Sequence, residues 1–375
     1  MLYIFLCMLS ALAGTATVEI LDVGQGDAIL VRSPEGKTLL IDGGTGKVPV
    51  VPYLQERGIT EINLMVGTHP HADHIGGLDE VLEAIPTKVY MDNGLPHTTQ
   101  TYTKVMNLVE SKGIQYISAK NGQKYNLGSE ITLEVWHPQD VPLKNTRSDL
   151  NSNSVVIRMM HKDNCFMFVG DAEEPTEHTV VQKNIGQCKV LKVAHHGSNH
   201  SSSQEFLNHV QPEIALISLG VDNSYGHPGE ETMERLEKTK AKIYRTDTMG
   251  TITILSDGKK LDIQTKKSAL QSSSTHYTKE KDDSDMDKME ADHGHASTQK
   301  TSTPTTDTNT AGKFNINTAT QAQLESISGI GPSKASAIIA YRTEHGPFKD
   351  IADVVQVSGI GPSTASKIAA AAYAQ

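Results

Sequence analysis

The sequence predicts an α/β domain of layered sheets and helices, followed by a small all-α domain. Three observations carry this prediction. Short apolar runs alternate with helix-like stretches over residues 17–267, whereas residues 268–312 contain no Ile, Val, Phe or Trp. Near the carboxyl end, a 16-residue pattern recurs after 30 residues. The 375 residues are therefore predicted to divide into a leader, 1–16, two folded domains, 17–267 and 313–375, and a disordered linker, 268–312.

The first segment opens on the apolar run Met1–Gly14. A transmembrane helix needs about 20 apolar residues, so this run predicts no stable insertion in a membrane. Its length and the small residues around Ala13 and Ala16 are typical of a secretory signal peptide, although no Lys or Arg precedes them. We therefore predict export to the cell surface or the medium. The alternatives are a buried first strand or a start codon assigned too late.

The α/β domain is predicted from apolar runs of strand length, which are bounded by Gly, Pro and Asp. The clearest are VEILDV (18–23), AILV (28–31), TLLID (38–42), NLMVGT (63–68), CFMFVGD (165–171) and KVLKVAHH (189–196). Cys165 opens one such run and Cys188 precedes another. In an exported protein these two cysteines could pair, and two buried free thiols are the alternative.

The densest functional signal is the HxHxDH pattern that directly follows the run 63–68. Imidazole and carboxylate groups bind divalent metals, and four of them at one strand end can converge on a cleft. Two later strand ends carry further donors, and strand ends are where α/β sheets form their sites. The candidate metal ligands are His69, His71, Asp73, His74, Asp171, His195 and His196.

Finer motifs surround these candidate ligands. They are LDVGQGDA (21–28), IDGG (41–44), HPHADHIGGL (69–78), LNSNSVV (150–156), FVGDAE (168–173), LKVAHHGSNHSSS (191–203) and YGHP (225–228). Together they resemble the metallo-β-lactamase superfamily, and within it the soluble hydrolase domain of the bacterial ComEC competence proteins. This resemblance implies an αβ/βα sandwich with its site at an edge shared by two sheets.

The resemblance also implies two divalent ions with separate ligands. The implied first position consists of His69 and His71. The implied second position consists of Asp73, His74 and either His195 or His196, of which we prefer His196. Asp171 would bridge the two ions. Asp42 would be a carboxylate that orients a ligand histidine, and Asp27 is a candidate to line the cleft beside the ligands.

The sequence departs from the family pattern at one point. Many members have a further histidine about twenty residues before the bridging aspartate, but residues 149–154 contain none. Asn151 is the best-placed substitute. Its harder amide oxygen weakens a zinc site and favours manganese or magnesium. The predicted cofactor is therefore a pair of divalent ions, zinc or manganese, with magnesium as a third candidate.

The chemistry expected of such a site is hydrolysis. Two divalent ions about 3.5 to 4 Å apart can activate a shared water and clamp the charge that develops opposite it. Asp73, Asp171 and His227 are the candidate catalytic residues. His227 could ligate metal, contact a phosphate oxygen or protonate the leaving group, or it could be only a turn residue before a helix. Ser198 and residues 201–203 are further candidates to line the cleft.

The carboxyl-terminal repeat places GIG before Pro-Ser at Gly329–Gly331 and again at Gly359–Gly361. Such a turn can present backbone N–H groups to phosphate at a helix start. The repeat resembles the tandem helix-hairpin-helix domain of ComEA-type DNA receptors, which implies binding to the duplex backbone without base readout. The alternative is a helical domain that uses these turns for packing or protein contacts. The candidate DNA-binding residues are Gly329, Ile330, Gly331, Ser333, Lys334, Gly359, Ile360, Gly361, Ser363 and Lys367.

The net charge of −10 does not exclude DNA as a partner, because the charge is distributed unevenly. Residues 1–267 carry 25 basic and 32 acidic residues, the linker 4 and 8, and residues 313–375 carry 5 and 4. A nearly neutral hairpin domain must hold DNA through backbone amides and a few lysines. We therefore expect modest affinity and a shallow salt dependence.

These features together predict an exported, metal-dependent phosphodiesterase, a nuclease without sequence specificity whose hairpin domain holds duplex DNA. The 45-residue linker, with a reach of about 35 to 40 Å, would keep DNA near the metal site. Two alternatives remain open. One is a phosphoesterase that acts on cell-wall or phosphocholine-bearing polymers. The other is a non-catalytic DNA-binding or uptake factor, motivated by the missing histidine.

Overall fold

The computed structural model describes residues 14–221, 223–266, 313–327, 330–357 and 360–374. Residues 1–13 of the predicted signal peptide and the predicted linker, 268–312, lie outside the described residues. The described residues form two compact units. One takes in the residues up to Asn93 and those from Ile114 to 266; the other takes in Gly94–Gly113 and the residues from 313 onward.

The strands of the first unit agree with the apolar runs of the sequence. In chain order they are β1 (Ala16–Ile20), β2 (Ile29–Arg32), β3 (Thr38–Ile41), β4 (Leu64–Val66), β5 (Val89–Asp92), β6 (Gln115–Ser118), β7 (Lys124–Asn126), β8 (Ile131–His137), β9 (Val156–His161), β10 (Asn164–Phe168), β11 (Val190–Lys192), β12 (Ile214–Ile217), β13 (Lys242–Arg245), β14 (Ile252–Ser256) and β15 (Leu261–Thr265).

Helices occupy the connections between these strands. They are α1 (Val50–Glu56), α2 (Ala72–Ile75), α3 (Leu78–Ala84), α4 (Gln100–Ser111), α5 (Glu174–Gln182), α6 (Gln204–Val210), α7 (Glu230–Thr239) and α8 (Thr246–Met249). Two short 3-10 turns are also present: Asn151–Asn153 lies shortly before β9, and Ala194–Gly197 follows β11. Helix α4 belongs to the second unit by its packing.

The strands form two mixed sheets. The first sheet has the order β15-β14-β1-β2-β3-β4-β5-β6, in which β3 to β6 are parallel. The second has the order β13-β12-β11-β10-β9-β8-β7, in which β10 to β13 are parallel. Parallel strands need crossover connections, which the helices supply, so both sheets combine a parallel part with an antiparallel part.

The two sheets pack face to face around one apolar core. Ile29 and Val66 of the first sheet belong to the same buried cluster as Phe166 and Leu216 of the second. A separate cluster joins the other face of the second sheet to helices α5, α6 and α7. Strands that are buried on both faces, such as β10, therefore have mostly apolar sequences without alternation, as in NCFMF. The predicted α/β sandwich is confirmed.

The parallel strands of both sheets end on the same side of the molecule. Segment Thr68–His74 follows β4, while Asp171 follows β10 and the pair His195–His196 follows β11. Asp42 stands directly after β3. Because carboxyl ends of parallel strands meet at one sheet edge, the fold gathers residues that are more than 150 positions apart in the chain.

A disulfide joins the two cysteines of the second sheet. Cys165 in β10 and Cys188 before β11 are bonded, with Cα atoms 4.9 Å apart, which lies in the usual range for a disulfide. Of the two alternatives left open by the sequence, the structure has the pair. Both residues are buried within the cluster that supports β10 and β11.

The second unit contains the predicted hairpin repeat. Its carboxyl-terminal part consists of β16 (Phe314–Asn315), α9 (Gln321–Glu325), α10 (Pro332–His345), a 3-10 turn (Ile351–Gln356), α11 (Pro362–Ala371) and β17 (Ala372–Tyr373). Helices α10 and α11 begin at equivalent prolines, 30 residues apart. The unit is not wholly helical, because β16 pairs with β17. None of the helices in the described ranges has the length and apolar character required to cross a membrane.

Candidate metal centre

The HxHxDH segment is gathered by a single helical turn at the end of β4. His69 and His71 precede α2, and Asp73 and His74 lie within it. The turn is held by the GQGD segment, whose Asp27 N–H donates to the Asp73 carbonyl at 3.1 Å. Gly26 has φ 130°, and a Cβ there would lie 2.3 Å from the same carbonyl oxygen. Only glycine permits this approach. The LDVGQGDA motif therefore supports the helical turn that carries the candidate ligands Asp73 and His74.

Asp171 lies at the centre of the histidines. His74 Nε2 is 3.1 Å from Asp171 Oδ1. On the other oxygen, Oδ2, the Nε2 atoms of His195, His196 and His69 lie at 3.6, 3.7 and 3.8 Å. Both Asp171 oxygens are buried without a hydrogen-bond partner in the described residues. Acceptor oxygens that face several ring nitrogens at this distance fit bridging ligands of metal ions.

One side of Asp171 matches the implied second position. Ligand atoms of Asp73, His74, Asp171 and His196 all lie within 4.8 Å of one another, close enough to hold one ion. His196 Nε2 is 3.1 Å from Asp73 Oδ2. An ion held by Asp73, His74 and Asp171 would therefore lie within reach of His196 as well.

Two further residues, His195 and Asn151, lie near Asp171 together with the implied first position. His69 Nε2 and His71 Nδ1 are 3.0 Å apart. His195 Nε2 lies 3.5 Å from the Asn151 amide nitrogen. Among the described residues, the buried Asn151 amide oxygen has no hydrogen-bond partner. His69 and His195 thus face Asp171 Oδ2, each with a second polar side chain beside it, and the structure brings both His195 and His196 to the centre.

The backbone explains how consecutive histidines reach the same centre. His195 has φ 50° and ψ 46°, and His196 has φ 53° and ψ 20°. Both residues are left-handed, a conformation that costs about 1 to 3 kcal/mol for a residue other than glycine. Both side chains consequently reach Asp171, with their Nε2 atoms 3.6 and 3.7 Å from Oδ2, instead of lying on opposite faces of a strand. Strain of this kind is concentrated at functional sites.

Hydrogen bonds orient the histidines of the second position. His74 Nδ1 lies 2.7 Å from Asp42 Oδ2, and Asp42 also accepts from the Thr68 amide and hydroxyl. His196 Nδ1 lies 2.9 Å from the Ser218 carbonyl and 3.3 Å from Asp27 Oδ1. A proton held at Nδ1 leaves the Nε2 lone pair for a metal. Asp42 and Asp27 thus lie behind His74 and His196, on the Nδ1 side of the two rings.

Electrostatic coupling within the cluster is strong. Burial raises the pKa of Asp171, but the charges of His74, His196 and His195 hold this pKa well below its usual value. Burial lowers the pKa of His74, but the carboxylates of Asp171, Asp73 and Asp42 raise it well above its usual value. The acidic and imidazole groups therefore compensate one another, and divalent cations would supply the same compensation.

His227 also lies at the centre. Its ring centroid is 5.6 Å from that of His195 and 6.4 Å from that of His196, and Tyr225 stacks on it at 5.7 Å. The Asn223 side chain holds the turn by accepting from the His227 amide and donating to its carbonyl. His227 is therefore a turn residue whose ring lies beside the rings of His195 and His196.

Sequence reasoning missed Glu173. Its Oε1 accepts from Arg147 at 2.7 Å and lies 3.5 Å from the Asn151 amide nitrogen and 3.7 Å from His195 Nδ1. Glu173 thus supports two donors of the first position from behind. The FVGDAE motif contained it, but neither its burial nor its partners could be inferred from the pattern.

The serines expected to line the cleft belong instead to a buried turn. Ser202 and Ser203 donate their backbone amides to Glu177 of α5, and Arg235 of α7 donates to the Ser202 carbonyl. Ser198, Ser201 and Ser202 are at most 1% exposed. This turn fixes the segment after His195–His196 to two helices.

The Glu177 carboxyl predicts a pH dependence of stability. Burial raises its pKa from 4.5 to about 7, although backbone amides of the serine turn oppose the shift. The folded state therefore binds a proton that the unfolded state has released, so the free energy of unfolding falls as pH rises from about 4.5 to about 7.5. The contribution is about 3 kcal/mol. We expect Glu177→Gln to remove this part of the pH dependence in urea titrations with EDTA. Parallel pH profiles for the two proteins would contradict the shift.

The carboxyl-terminal part of the second unit, residues 313–374, is called the hairpin unit below. Its structure differs from part of the predicted DNA interface. Ile330 and Ile360 are 4% and 5% exposed and belong to the core of the unit. Their amides donate internally, to the carbonyls of Ile327 and Val357. Both residues were expected to contact DNA. They instead anchor the two turns, because the isoleucine is the apolar side chain of each GIG turn and is therefore the one that is buried.

The structure describes some of the other predicted DNA-binding residues and not others. Gly331 and Gly361 precede α10 and α11 with extended backbones. Lys334 Nζ donates to Thr364 Oγ1 at 3.2 Å, and these are equivalent positions of the two repeats. Lys367 lies half-buried on α11. Gly329 and Gly359 lie outside the described residues, as do the side chains of Ser333 and Ser363.

Comparisons with known proteins agree with both resemblances. The model of the metallo-beta-lactamase superfamily matches residues 21–221, and that of the helix-hairpin-helix motif matches residues 309–372. The chain is 28% identical over 274 residues to ComE operon protein 3 of Bacillus subtilis, covering 67% of this chain and 34% of that protein. It is 30% identical over 257 residues to Recombination protein 2 of Haemophilus influenzae, covering 67% and 30%.

The hairpin unit has a separate relative. Over 42 residues the chain is 62% identical to ComE operon protein 1 of Bacillus subtilis, which covers 11% of this chain and 20% of that protein. The chain spans about a third of the length of the two longer relatives. The resemblance inferred from the motifs is thereby confirmed for both parts of the chain.

Proposed function

Because the chain belongs to the metallo-beta-lactamase superfamily, we propose that it is an exported, metal-dependent phosphodiesterase that hydrolyses DNA without sequence specificity. The observation that carries this proposal is the environment of Asp171. Its two buried oxygens face histidines from both sheets, and donor groups lie on either side. A bridging carboxylate between two sets of donors fits a pair of divalent ions.

The proposed ligands divide around Asp171. The first ion would be held by His69, His71, His195 and Asn151. The second would be held by Asp73, His74 and His196. This division differs from the sequence expectation, because His195 adds an imidazole where the family histidine is missing. The second position has the greater negative charge, so we expect it to bind its ion more tightly.

The metals, zinc or manganese with magnesium as a third candidate, would supply water of lowered pKa and positive charge for the phosphoryl oxygens. The protein holds the ligand side chains in their orientations. Asp42 and the Ser218 carbonyl fix the ring orientations of His74 and His196. Glu173 supports Asn151 and His195. Burial of these groups lowers the cost of reorganisation during the reaction.

His227 is the proposed proton donor to the leaving oxygen. Its ring lies beside His195 and His196, and it is 8% exposed, so one edge can reach a bound substrate. The tether of its backbone to Asn223 restricts its movement. A general acid within reach of the scissile bond contributes about 10²- to 10⁴-fold to the rate.

DNA as the substrate is supported by the hairpin unit and by the relatives. The match to the helix-hairpin-helix motif extends over the tandem repeat, and 42 residues of the chain are 62% identical to ComE operon protein 1. ComE operon protein 3 and Recombination protein 2 are similar to 67% of the chain. The hairpin unit would hold the duplex by its backbone and raise the local concentration of phosphodiester bonds at the metal centre.

Export is supported by the Cys165–Cys188 disulfide, because disulfides persist in oxidising compartments. Cleavage of the leader after Ala13 would leave β1, which begins at Ala16, intact. Cleavage after Ala16 would remove the first residue of that strand, so the earlier position is the better candidate.

A plasmid-cleavage assay tests the function. The full chain is incubated with supercoiled DNA and manganese, magnesium or zinc, beside Asp73→Asn. We expect nicking or linearisation that requires metal and is lost in Asp73→Asn, since this substitution removes a charged oxygen ligand of the second position. Asp163→Asn is the matched control, because Asp163 is an exposed carboxylate in the turn between β9 and β10.

Two results would refute the nuclease. DNA that is bound but stays intact with every metal would point to a DNA-binding or uptake factor. Hydrolysis of phosphocholine-bearing polymers without DNA cleavage would point to the cell-wall alternative.

A further inference from the structure

Lys192 is a fully buried lysine near the metal centre, and its role is not explained by the ligands. It is the last residue of β11, in the parallel part of the second sheet, and is 1% exposed. Lysine is almost never fully buried unless it is paired, because desolvation of its ammonium costs several kcal/mol. Lys192 Nζ lies 2.7 Å from Asp27 Oδ2 and donates to the Val193 carbonyl at 3.0 Å.

Asp27 connects this lysine to the second position. Its backbone is fixed at both ends, because its N–H donates to the Asp73 carbonyl and its own carbonyl accepts from Gly44. Its side chain has one oxygen on Lys192 and the other 3.3 Å from His196 Nδ1. One carboxylate therefore bridges a buried cation and a proposed metal ligand.

The two ligand histidines of the second position are supported in different ways. Behind His74, Asp42 is held by the amide and the hydroxyl of Thr68. Behind His196, Nδ1 faces two acceptors, the Ser218 carbonyl at 2.9 Å and Asp27 Oδ1 at 3.3 Å, and Asp27 is held by the Lys192 ammonium. The Asp42 carboxylate is held by local hydrogen bonds from Thr68. The position of the Asp27 carboxylate depends instead on the Lys192 side chain, which belongs to β11 in the other sheet.

We propose that Lys192 is a positioning residue for the second metal position: its ammonium fixes the Asp27 carboxylate against His196 and so aims His196 Nε2 at Asp73 and Asp171. The proposal rests on the proposed metal site. In this proposal, Lys192 at the end of β11 acts on His196 through the Asp27 carboxylate of the GQGD turn. The first position, on the other side of Asp171, has no member in this chain of contacts.

Metal binding by the full chain tests the proposal. Manganese titration by calorimetry is expected to show two equivalents in the unsubstituted protein. In Lys192→Met, affinity for one equivalent should fall about 10- to 100-fold, the usual effect of losing support behind a ligand. The other equivalent should change less than about twofold. Lys189→Met is the matched control, because Lys189 precedes the same strand and donates to Asn164, away from the centre.

A double-mutant cycle separates positioning from general stability. Lys192→Met leaves a buried carboxylate uncompensated, whereas Asp27→Asn/Lys192→Met removes both charges and should recover much of the melting temperature measured with EDTA. If Lys192 acts through Asp27, both single variants and the double variant lose affinity for the same equivalent to a similar degree. Recovery of melting temperature without recovery of metal affinity is the expected signature.

Three outcomes would overturn the proposal. The first is two tight equivalents in Lys192→Met or in the double variant. The second is equal weakening of both equivalents, in proportion to melting temperature. The third is additivity of the two single effects, which would mean that Lys192 does not act through Asp27. Should Lys192→Met fail to fold, the double variant and Asp27→Asn decide by the same criteria. An unsubstituted protein that binds no metal would instead refute the proposed function itself.

Discussion

Replacement of Asp171 by asparagine is expected to remove both metal ions and to lower DNA cleavage about 10³-fold or more. The carboxylate lies beside donors of both proposed positions, with His74 Nε2 at 3.1 Å from one oxygen and His195 Nε2 at 3.6 Å from the other. Loss of metal chemistry removes at least about 4 kcal/mol of transition-state stabilisation, which corresponds to this factor.

The measurement combines metal analysis of the purified variant with single-turnover cleavage of plasmid DNA. Asp171→Asn preserves the volume of the side chain, so the fold should persist, and circular dichroism would verify this. Asp163→Asn serves again as the exposed carboxylate control. A variant that retained two ions and cleaved DNA at the normal rate would exclude the bridging role of Asp171.

Removal of the hairpin unit is expected to weaken DNA binding far more than it changes the chemistry. A shortened chain ending at Lys267 should lose about 10- to 100-fold in affinity for long duplex DNA, because the second binding module no longer raises the effective concentration. Its cleavage rate on a short oligonucleotide at saturation should stay within about threefold. Fluorescence anisotropy and initial rates measure the two quantities separately.

Point substitutions test whether the hairpins themselves bind the backbone. Lys334→Ala/Lys367→Ala should lower affinity without changing sequence preference, and should reduce the slope of log affinity against log salt by about 1 to 2. Lys349→Ala is the control, since this lysine is exposed between the repeats. Unchanged binding in the shortened chain would mean that the hairpin unit serves packing or protein contacts.

The candidate site was predictable from the sequence where the ligands are close together in the chain. HxHxDH after an apolar run identifies His69, His71, Asp73 and His74, because the strand end and the following helical turn are local. The repeat of 30 residues likewise predicted two helix starts at Gly-Pro, which the structure has at α10 and α11. Local chemistry and local backbone preference suffice for both features.

Other parts of the site could not be derived in this way. The sequence offered His195 and His196 as alternatives, and two successive left-handed residues bring both to the centre. No pattern in LKVAHHGS indicates that backbone. Ile330 and Ile360 were expected at the DNA surface, although their burial was equally compatible with the motif.

The kinds of residue and their order predict which chemistry this chain can support: a cluster of imidazoles and carboxylates, an α/β scaffold and a tandem hairpin repeat. How these groups combine depends on the packing of the two sheets. The two sheets bring Asp171, His195 and His196 to the HxHxDH turn, and they bring Lys192 to Asp27 across about 165 positions of chain. The physical reason is that residue type sets the affinity of a group for metal, whereas the distances between groups are set by the packing of distant strands.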